Sequence, residues 1–178
     1  MIELVAVGEG MESRRLNMLA RELTRIFQVP CQVRPGIVDA SPARDIARKQ
    51  YHSTSILDYL RSLAPANRSR LLGIAAVDLF VPIFTFVFGE AEVGGKCAVA
   101  SMYRLDDERY GLPENEEKLR ERLTKEAVHE LGHTFGLGHC DHWHCVMASS
   151  HSVELVDVKG AEFCDDCAQA VRADSLPF

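Results

Sequence analysis

The sequence predicts an α/β fold (α+β in its overall balance) in which helices pack on a twisted, mostly parallel sheet. Two observations support this prediction. Short apolar segments rich in strand-forming residues alternate along the chain with longer segments of helical periodicity, and such alternation is typical of parallel sheets. The chain has 178 residues, a length that one domain accommodates most simply, burying about 70% of the unfolded surface.

The predicted elements of the first half follow this alternation in order. Residues 2–7 form an apolar strand, residues 12–27 a helix, and residues 31–34 a second strand. A loop rich in Pro and Asp comes next, followed by a helix around residues 53–63. These elements supply the first two strand-to-helix units of the sheet.

Three further strands are predicted over residues 71–77, 83–88 and 96–102. The first two belong to the longest apolar stretch of the chain, which Asp78 and Pro82 interrupt. Strand-forming residues dominate on both sides of the interruption, so we interpret the stretch as two buried strands and not as a membrane span.

The last long helix is predicted to begin after Asn115, a favourable N-cap, and to extend to about Phe135. Its core face follows helical spacing and carries Leu119, Leu123, Ala127 and Leu131.

This helix carries a spaced set of metal-binding side chains, His129-Glu130-x-x-His133-x-x-Gly136-x-x-His139. Two histidines four residues apart on a helix lie about 40° apart around the axis and roughly 6 Å apart along it, so both imidazoles can reach one ion. Gly136 can adopt the left-handed conformation that ends helices, which lets His139 turn back as a third ligand. The pattern predicts a catalytic zinc site.

Glu130 is offset from the first ligand by about 100° on the helix, which places its carboxylate outside the ligand set and near a water in the open coordination position. Zinc with three protein ligands lowers the pKa of that water from about 16 to about 7, and Glu130 is the candidate general base. The predicted chemistry is hydrolysis of an amide or ester. The competing interpretation is an ordinary amphipathic helix whose histidines point into solvent or a polar core.

A Cys-x4-Cys pair and a Cys-x2-Cys pair follow, formed by Cys140, Cys145, Cys164 and Cys167. Four thiolates at such spacing suit a closed structural zinc site, which would help to fix the neighbouring His139. Two disulfides are the competing interpretation. We expect the reduced, metal-bound state because the first residues lack the basic and apolar regions of a secretory leader. Cys31 and Cys97 are interpreted as core residues.

Other side chains near the motif have two interpretations each. Met147 is a candidate hydrophobic floor beneath the three imidazoles, with simple packing as the alternative. His142, His144 and His151 are interpreted as solvated loop histidines, of which His142 or His144 could contact substrate.

The segment from His129 to Cys167 resembles the archaemetzincins, a branch of the metzincin clan of zinc metalloproteases. The resemblance rests on the histidine motif, the cysteine directly after it, Cys145-Val146-Met147 and Cys164-Asp165-Asp166-Cys167. It implies a metzincin fold, a peptidase that acts on peptides or proteins, and two Zn²⁺ ions, one catalytic and one structural. Carried over residue by residue, it assigns catalytic zinc to His129, His133 and His139, the base to Glu130, the Met-turn to Met147, and structural zinc to Cys140, Cys145, Cys164 and Cys167.

The resemblance also implies a single metalloprotease domain over residues 1–178. Residues 1–136 would form an upper part with the active-site helix, and residues 137–178 a lower part held by the cysteine zinc, with a cleft between them. In related metalloproteases the substrate adds to an edge strand above the metal. We expect residues 94–101 to be that edge because small residues leave room for a second backbone, with an ordinary edge strand as the alternative.

Composition limits the classes of partner that the protein is expected to bind. The net charge of −6 and pI of about 5.6 argue against binding to nucleic acid or a membrane surface, since both normally need a basic patch. We expect a cytoplasmic monomer, since a secretory leader is not recognisable in the first residues, and the family resemblance implies that it acts on a peptide or protein. Two rival functions remain open: a zinc-stabilised binding module with an idle site, and a hydrolase of a small amide.

Overall fold

The main sheet is mostly parallel, as the sequence predicts. The computed structural model describes residues 1–175. In chain order its strands are β1 (Ile2–Val7), β2 (Cys31–Val38), β3 (Arg44–Asp45), β4 (Gln50–His52), β5 (Arg70–Ala75), β6 (Leu79–Phe80), β7 (Gly89–Ala91) and β8 (Cys97–Ser101). Five of them form the main sheet in the order β2-β1-β5-β8-β7, and β3, β4 and β6 form a small second sheet. In the main sheet only β7 is antiparallel to its neighbour.

Helices cover both faces of this sheet. They are α1 (Ser13–Phe27), α2 (Ser53–Leu63), α3 (Glu116–Thr134), α4 (Val153–Val158) and α5 (Asp165–Ser175). Successive residues of β1 point to opposite faces, so Leu4 joins the core that contains α1 and α3, whereas Val5 joins the core that contains α2. The α1–α3 core also includes apolar residues beyond α3, among them Met147 and Val171.

None of the helices within residues 1–175 is both long enough and apolar enough to cross a membrane.

The prediction of a strand over residues 83–88 is wrong. The chain forms turns and bends there, and Ile83 and Phe84 are 82% and 57% exposed. Pro82 has no N–H to donate to a strand ladder, and local pairing is limited to β6 and one bridge between Leu79 and Val87. Apolar composition alone therefore did not distinguish a buried strand from a loop that exposes apolar side chains.

Other boundaries differ less. The second strand continues to Val38, beyond its predicted end at residue 34, and the loop that was expected next contains β3 and β4. These two- and three-residue strands are too short to show a periodicity in sequence. The helix around residues 53–63 is confirmed as α2.

The prediction that residues 94–101 form the free edge is also wrong. All five residues of β8 are buried, with β5 on one side and β7 on the other. Ala98 pairs with Leu72 of β5 and with Ala91 of β7. A strand enclosed in this way is apolar throughout, and its small residues serve close packing. Within residues 1–175 the free edge on this side of the main sheet is β7.

Helix α3 begins and ends by recognisable capping interactions. The side chain of Asn115 accepts a hydrogen bond from the Lys118 amide at 3.0 Å, as its predicted capping role requires. At the other end, Gly136 has φ of 84°, and the amides of Gly136 and Leu137 donate to the carbonyls of His133 and Gly132. This pair of bonds is the Schellman arrangement, and it turns the chain back toward α3.

Candidate functional site

The imidazoles of His129 and His133 face each other from successive turns of α3. Their Nε2 atoms are 3.2 Å apart. The Nδ1 of His129 lies 2.9 Å from the carbonyl oxygen of Val146, and the Nδ1 of His133 lies 2.8 Å from that of Leu137. A carbonyl oxygen only accepts hydrogen bonds, so each Nδ1 carries the proton and each Nε2 presents a lone pair.

Two lone pairs at that separation repel each other unless they share a cation. Burial lowers the pKa of both imidazoles, and nearby Lys159 adds to the effect, so protonation does not relieve the repulsion near neutral pH. Nitrogen ligands about 2.0–2.1 Å from a tetrahedral zinc lie about 3.4 Å from each other, close to the observed separation. The pair therefore fits a divalent metal.

His139 completes the group. The turn at Gly136 brings its ring centroid to 5.3 Å from that of His129 and 5.2 Å from that of His133. Ligand nitrogens of the three residues all lie within 4.8 Å of one another. The structure therefore brings together the three histidines that the sequence predicts, and the interpretation of splayed, solvated rings does not describe it.

Glu130 lies beside these rings in a buried position. Its side chain packs against Gly89 of β7, where a Cβ would come within 2.6 Å of both Cγ and Oε1 of Glu130. Burial raises the pKa of the Glu130 carboxyl well above its usual range, with a further contribution from Glu126, whereas Lys159 acts in the opposite direction. A carboxylate in this environment has an increased affinity for a proton.

A buried ion pair between Glu126 and Lys159 adjoins the site, and sequence reasoning missed it. The Lys159 ammonium is 2.8 Å from Oε1 of Glu126, and both side chains are almost fully buried. The charges attract at this distance although the contact is not aligned as a hydrogen bond. Glu126 precedes Glu130 by one helical turn, and this spacing could have indicated that Glu126 faces the site. Lys159 is remote in sequence, and no pattern indicated that it lies there.

The four cysteines also come together. Their sulfur atoms all lie within 4.8 Å of one another, and the Sγ atoms of Cys140 and Cys164 are 3.8 Å apart. A disulfide requires about 2.05 Å, whereas four sulfurs about 2.3 Å from a tetrahedral zinc lie about 3.8 Å apart. The geometry favours a closed metal site over two disulfides.

The thiols of the cluster are not equivalent, because burial raises the pKa of Cys167 whereas hydrogen bonds favour the thiolate form at Cys164. The amide of Cys164 donates to the sulfur of Cys145 at 3.3 Å. A backbone hydrogen bond from Cys167 lowers the pKa of the Cys164 thiol. Cys31 and Cys97 lie outside the cluster, and burial raises the pKa of Cys97 to about 11, consistent with a packing role.

Met147 is fully buried and its sulfur packs against Gly132, in the turn of α3 between the two histidines. Its backbone carbonyl accepts a hydrogen bond from the Cys140 amide at 3.0 Å. This single residue therefore connects α3, the histidine site and the cysteine cluster.

An open cavity of about 510 Å³ lies in front of the histidines. One wall is formed by residues 84–91 and Val93, and the other by α3 and by residues 149–151, which follow Met147. His151 lines the cavity, whereas the exposed His142 and His144 do not. Of the three loop histidines, the one placed to contact a ligand is therefore the one for which no such contact was predicted.

Comparison with known proteins gives consistent similarities. The profile of peptidase family M54 matches residues 16–173. An archaemetzincin from Methanocaldococcus jannaschii is 39% identical over 157 residues, which cover 88% of this chain and 85% of that protein.

Two solved structures resemble nearly the whole chain. A zinc-dependent peptidase from Methanocorpusculum labreanum has a TM-score of 0.87 and 27% identity, covering 96% of this chain and 100% of the other. An archaemetzincin from Archaeoglobus fulgidus, solved in complex with malonate, has a TM-score of 0.80 and 38% identity, covering 96% and 99%.

Proposed function

Because this chain belongs to peptidase family M54 together with the archaemetzincins, we propose that it hydrolyses peptide bonds with Glu130 as general base beside a catalytic zinc ion. The family resemblance inferred from the sequence is confirmed, and the chain is a metallopeptidase. The observation that carries the mechanistic proposal is the pair of unprotonated Nε2 atoms 3.2 Å apart.

We assign two zinc sites. His129, His133 and His139 would hold the catalytic ion, and the four clustered cysteines, Cys140, Cys145, Cys164 and Cys167, would hold the structural ion. The separations of the nitrogen atoms and of the sulfur atoms support these assignments. When bound by the histidines, zinc supplies a Lewis acid and a water of lowered pKa.

Glu130 would transfer a proton from the attacking water to the leaving amine. Its carboxylate lines the cavity beside the histidines, and burial raises the pKa of the carboxyl, which makes the ionised form a stronger base. In the proposed reaction Glu130 accepts a proton from the attacking water and later donates it to the leaving amine. Gly89 and the helix hold the carboxylate from two sides, which keeps it oriented through both transfers.

The substrate backbone would pair with β7 and not with β8. Within the described chain, β7 has a free edge, and its residues line the same cavity as Glu130. An extended peptide that adds to this edge gains backbone hydrogen bonds and lies across the histidine group. This assignment replaces the edge that was expected at residues 94–101.

The arrangement of the chain supports one metalloprotease domain, with parts corresponding to residues 1–136 and 137–178. A common core joins α3 to Met147 and Val171, so the two parts pack as one unit. We further propose that the protein acts as a monomer on peptides or proteins and not on nucleic acid. The separated cysteine sulfurs suit a reducing compartment such as the cytoplasm.

The decisive experiment compares zinc-loaded protein with its Glu130→Gln variant on a mixed peptide library, with metal content measured for both. We expect two zinc ions per chain in each protein and cleavage only by the wild type. Cleavage by both proteins would exclude Glu130 as the base. No cleavage by either protein would favour the zinc-stabilised binding module. Cleavage of small amides but not of peptides would favour the hydrolase of a small amide.

A further inference from the structure

We propose that Ile83, Phe84 and Val93 form an apolar rim that binds apolar side chains of an extended substrate. The enzyme would thereby select segments that folded proteins bury. This inference rests on the proposed peptidase function and specifies its substrate class.

The rim is continuous with the candidate active site. Phe84 and Val93 both line the cavity that contains Glu130 and His133. They lie on either side of β7 in sequence, Phe84 before the strand and Val93 after it, and the exposed Ile83 directly precedes Phe84. A peptide paired with β7 would therefore meet apolar surface at both ends of the strand.

These side chains are largely exposed to solvent. Ile83 is 82%, Phe84 57% and Val93 67% exposed. Single exposed apolar residues are common on protein surfaces, and Leu112 at 52% is an example away from the cavity. The rim differs because Phe84 and Val93 line one cavity, next to a strand with a free edge.

The backbone that carries the rim is held in place. The Arg48 guanidinium donates to the carbonyls of Phe84 and Thr85 at 2.9 and 3.1 Å, and the Gln50 amide donates to Thr85 at 2.8 Å. After β7, the Gly94 amide donates to the His133 carbonyl at 2.9 Å. The exposure of these apolar side chains is therefore a property of an anchored segment.

The charge of the cavity also favours substrates with apolar side chains. Glu90, Glu126 and Glu130 line the cavity, and among the described residues no lysine or arginine lines it. The buried ion pair with Lys159 offsets the charge of Glu126, so the acidic character of the cavity depends on Glu90 and Glu130. Acidic side chains beside the scissile bond would be repelled, whereas apolar ones would gain about 25 cal/mol for each Å² of apolar surface removed from water.

The test uses quenched fluorescent peptides that are identical except for the residues flanking the cleaved bond, which are leucine, serine or aspartate. We expect wild-type kcat/KM to fall in that order. Phe84→Ser and Val93→Ser should each lower kcat/KM for the leucine peptide about tenfold, the equivalent of burying one such side chain, and should change the serine peptide little. Leu112→Ser is the matched control and should leave all three peptides unchanged.

Binding to the Glu130→Gln background separates this inference from the proposed function. Fluorescence anisotropy of the same peptides should show weaker binding of the leucine peptide when Phe84 or Val93 is also replaced by serine. Equal affinities with and without the rim substitutions would contradict the proposal that the rim binds substrate, even if the wild type hydrolyses every peptide. Rim-dependent binding without turnover by the wild type would retain the rim and reject the peptidase mechanism.

Discussion

Gly89 and Glu130 are in such close contact that residue 89 has no room for a side chain. A Cβ on Gly89 would lie 2.6 Å from Cγ and Oε1 of Glu130, and equally close to the carbonyl oxygen of Val99. Val99 belongs to the neighbouring strand β8, whose pairing with β7 includes Glu90 opposite Val99. Neither side can move freely, so the edge strand and the candidate base are positioned against each other.

Gly89→Ala should therefore impair catalysis more than folding. The added methyl group must displace the Glu130 carboxylate or shift β7, and a displacement of about 1 Å at a reacting group can cost about 100-fold in rate. We expect kcat to fall about 10- to 100-fold while both zinc ions remain bound. Steady-state kinetics and metal analysis by mass spectrometry measure the two effects.

Gly138→Ala is the matched control because a Cβ at Gly138 meets no atom within 4 Å. It should leave kcat close to that of the wild type. Full activity in Gly89→Ala would show that Glu130 tolerates displacement and would remove the argument that β7 positions it.

The buried pair of Glu126 and Lys159 should be important for stability. Lys159→Met leaves a carboxylate buried without its partner, since both side chains are almost fully excluded from solvent. Breaking a buried pair from one side typically costs about 3–5 kcal/mol, and we expect a loss of that order in the free energy of unfolding. Denaturant titration provides the measurement.

The double variant Glu126→Gln/Lys159→Met tests whether that loss comes from the unpaired charge. It should be more stable than Lys159→Met alone, because no buried charge remains uncompensated. If the double variant were as unstable as the sum of the two single variants, the two residues would be acting independently and the ion pair would not explain the loss.

The grouping of the candidate histidine ligands could be predicted from sequence because helical spacing is a local property. His129 and His133 need only one turn of α3, and a glycine three residues later is sufficient to direct His139 back. Each cysteine pair is local as well, but 18 residues separate Cys145 from Cys164. The expectation that the two pairs converge, as they do in the structure, depended on the chemistry of a four-thiolate site.

Contacts between distant segments could not be predicted in this way. Gly89 packs on Glu130 across 41 positions of the printed sequence, and Lys159 reaches Glu126 from beyond α4. No periodicity encodes either contact. The choice between β7 and β8 as the edge failed for the same reason, since which strand is outermost depends on the order of the whole sheet.

Asp157 should make the protein more stable above the usual carboxyl pKa than below it. Arg122 donates to both oxygens of Asp157 at 2.6 and 2.8 Å, and this interaction lowers the pKa of Asp157. A group with a lowered pKa in the folded state stabilises the fold while ionised, and the contribution is lost as pH falls through the folded-state value. Asp157→Asn should therefore reduce stability at pH 7 and reduce it much less at pH 2–3.

Unfolding by urea at several pH values checks the sign of this effect. Asp58→Asn, which removes an exposed carboxylate paired with Arg61, is the control and should change the pH dependence little. A constant difference between Asp157→Asn and wild type at every pH would mean that the Arg122 contact acts through packing and not through ionisation.

The cysteine cluster should contribute more to stability than the histidine site. Cys145 is fully buried and lies in the same core as Val146 and Met147, and a metal bound there would add to the hydrogen bonds that already join this segment to residues 160–164. Metal binding of this kind contributes directly to folding. We expect Cys145→Ser to lower Tm by roughly 10 °C, equivalent to about 3 kcal/mol in a protein of this size, and to reduce the zinc content by one ion.

His133→Ala should lose the catalytic zinc ion and all hydrolysis, and its Tm should change less than that of Cys145→Ser. Cys31→Ser is the control for the cysteine substitution, because the Cys31 thiol lies outside the cluster and donates to the Val29 carbonyl. Should Cys145→Ser keep two zinc ions and an unchanged Tm, the four sulfurs would not be acting as one site. The 3.8 Å separation of Cys140 and Cys164 would then reflect packing alone.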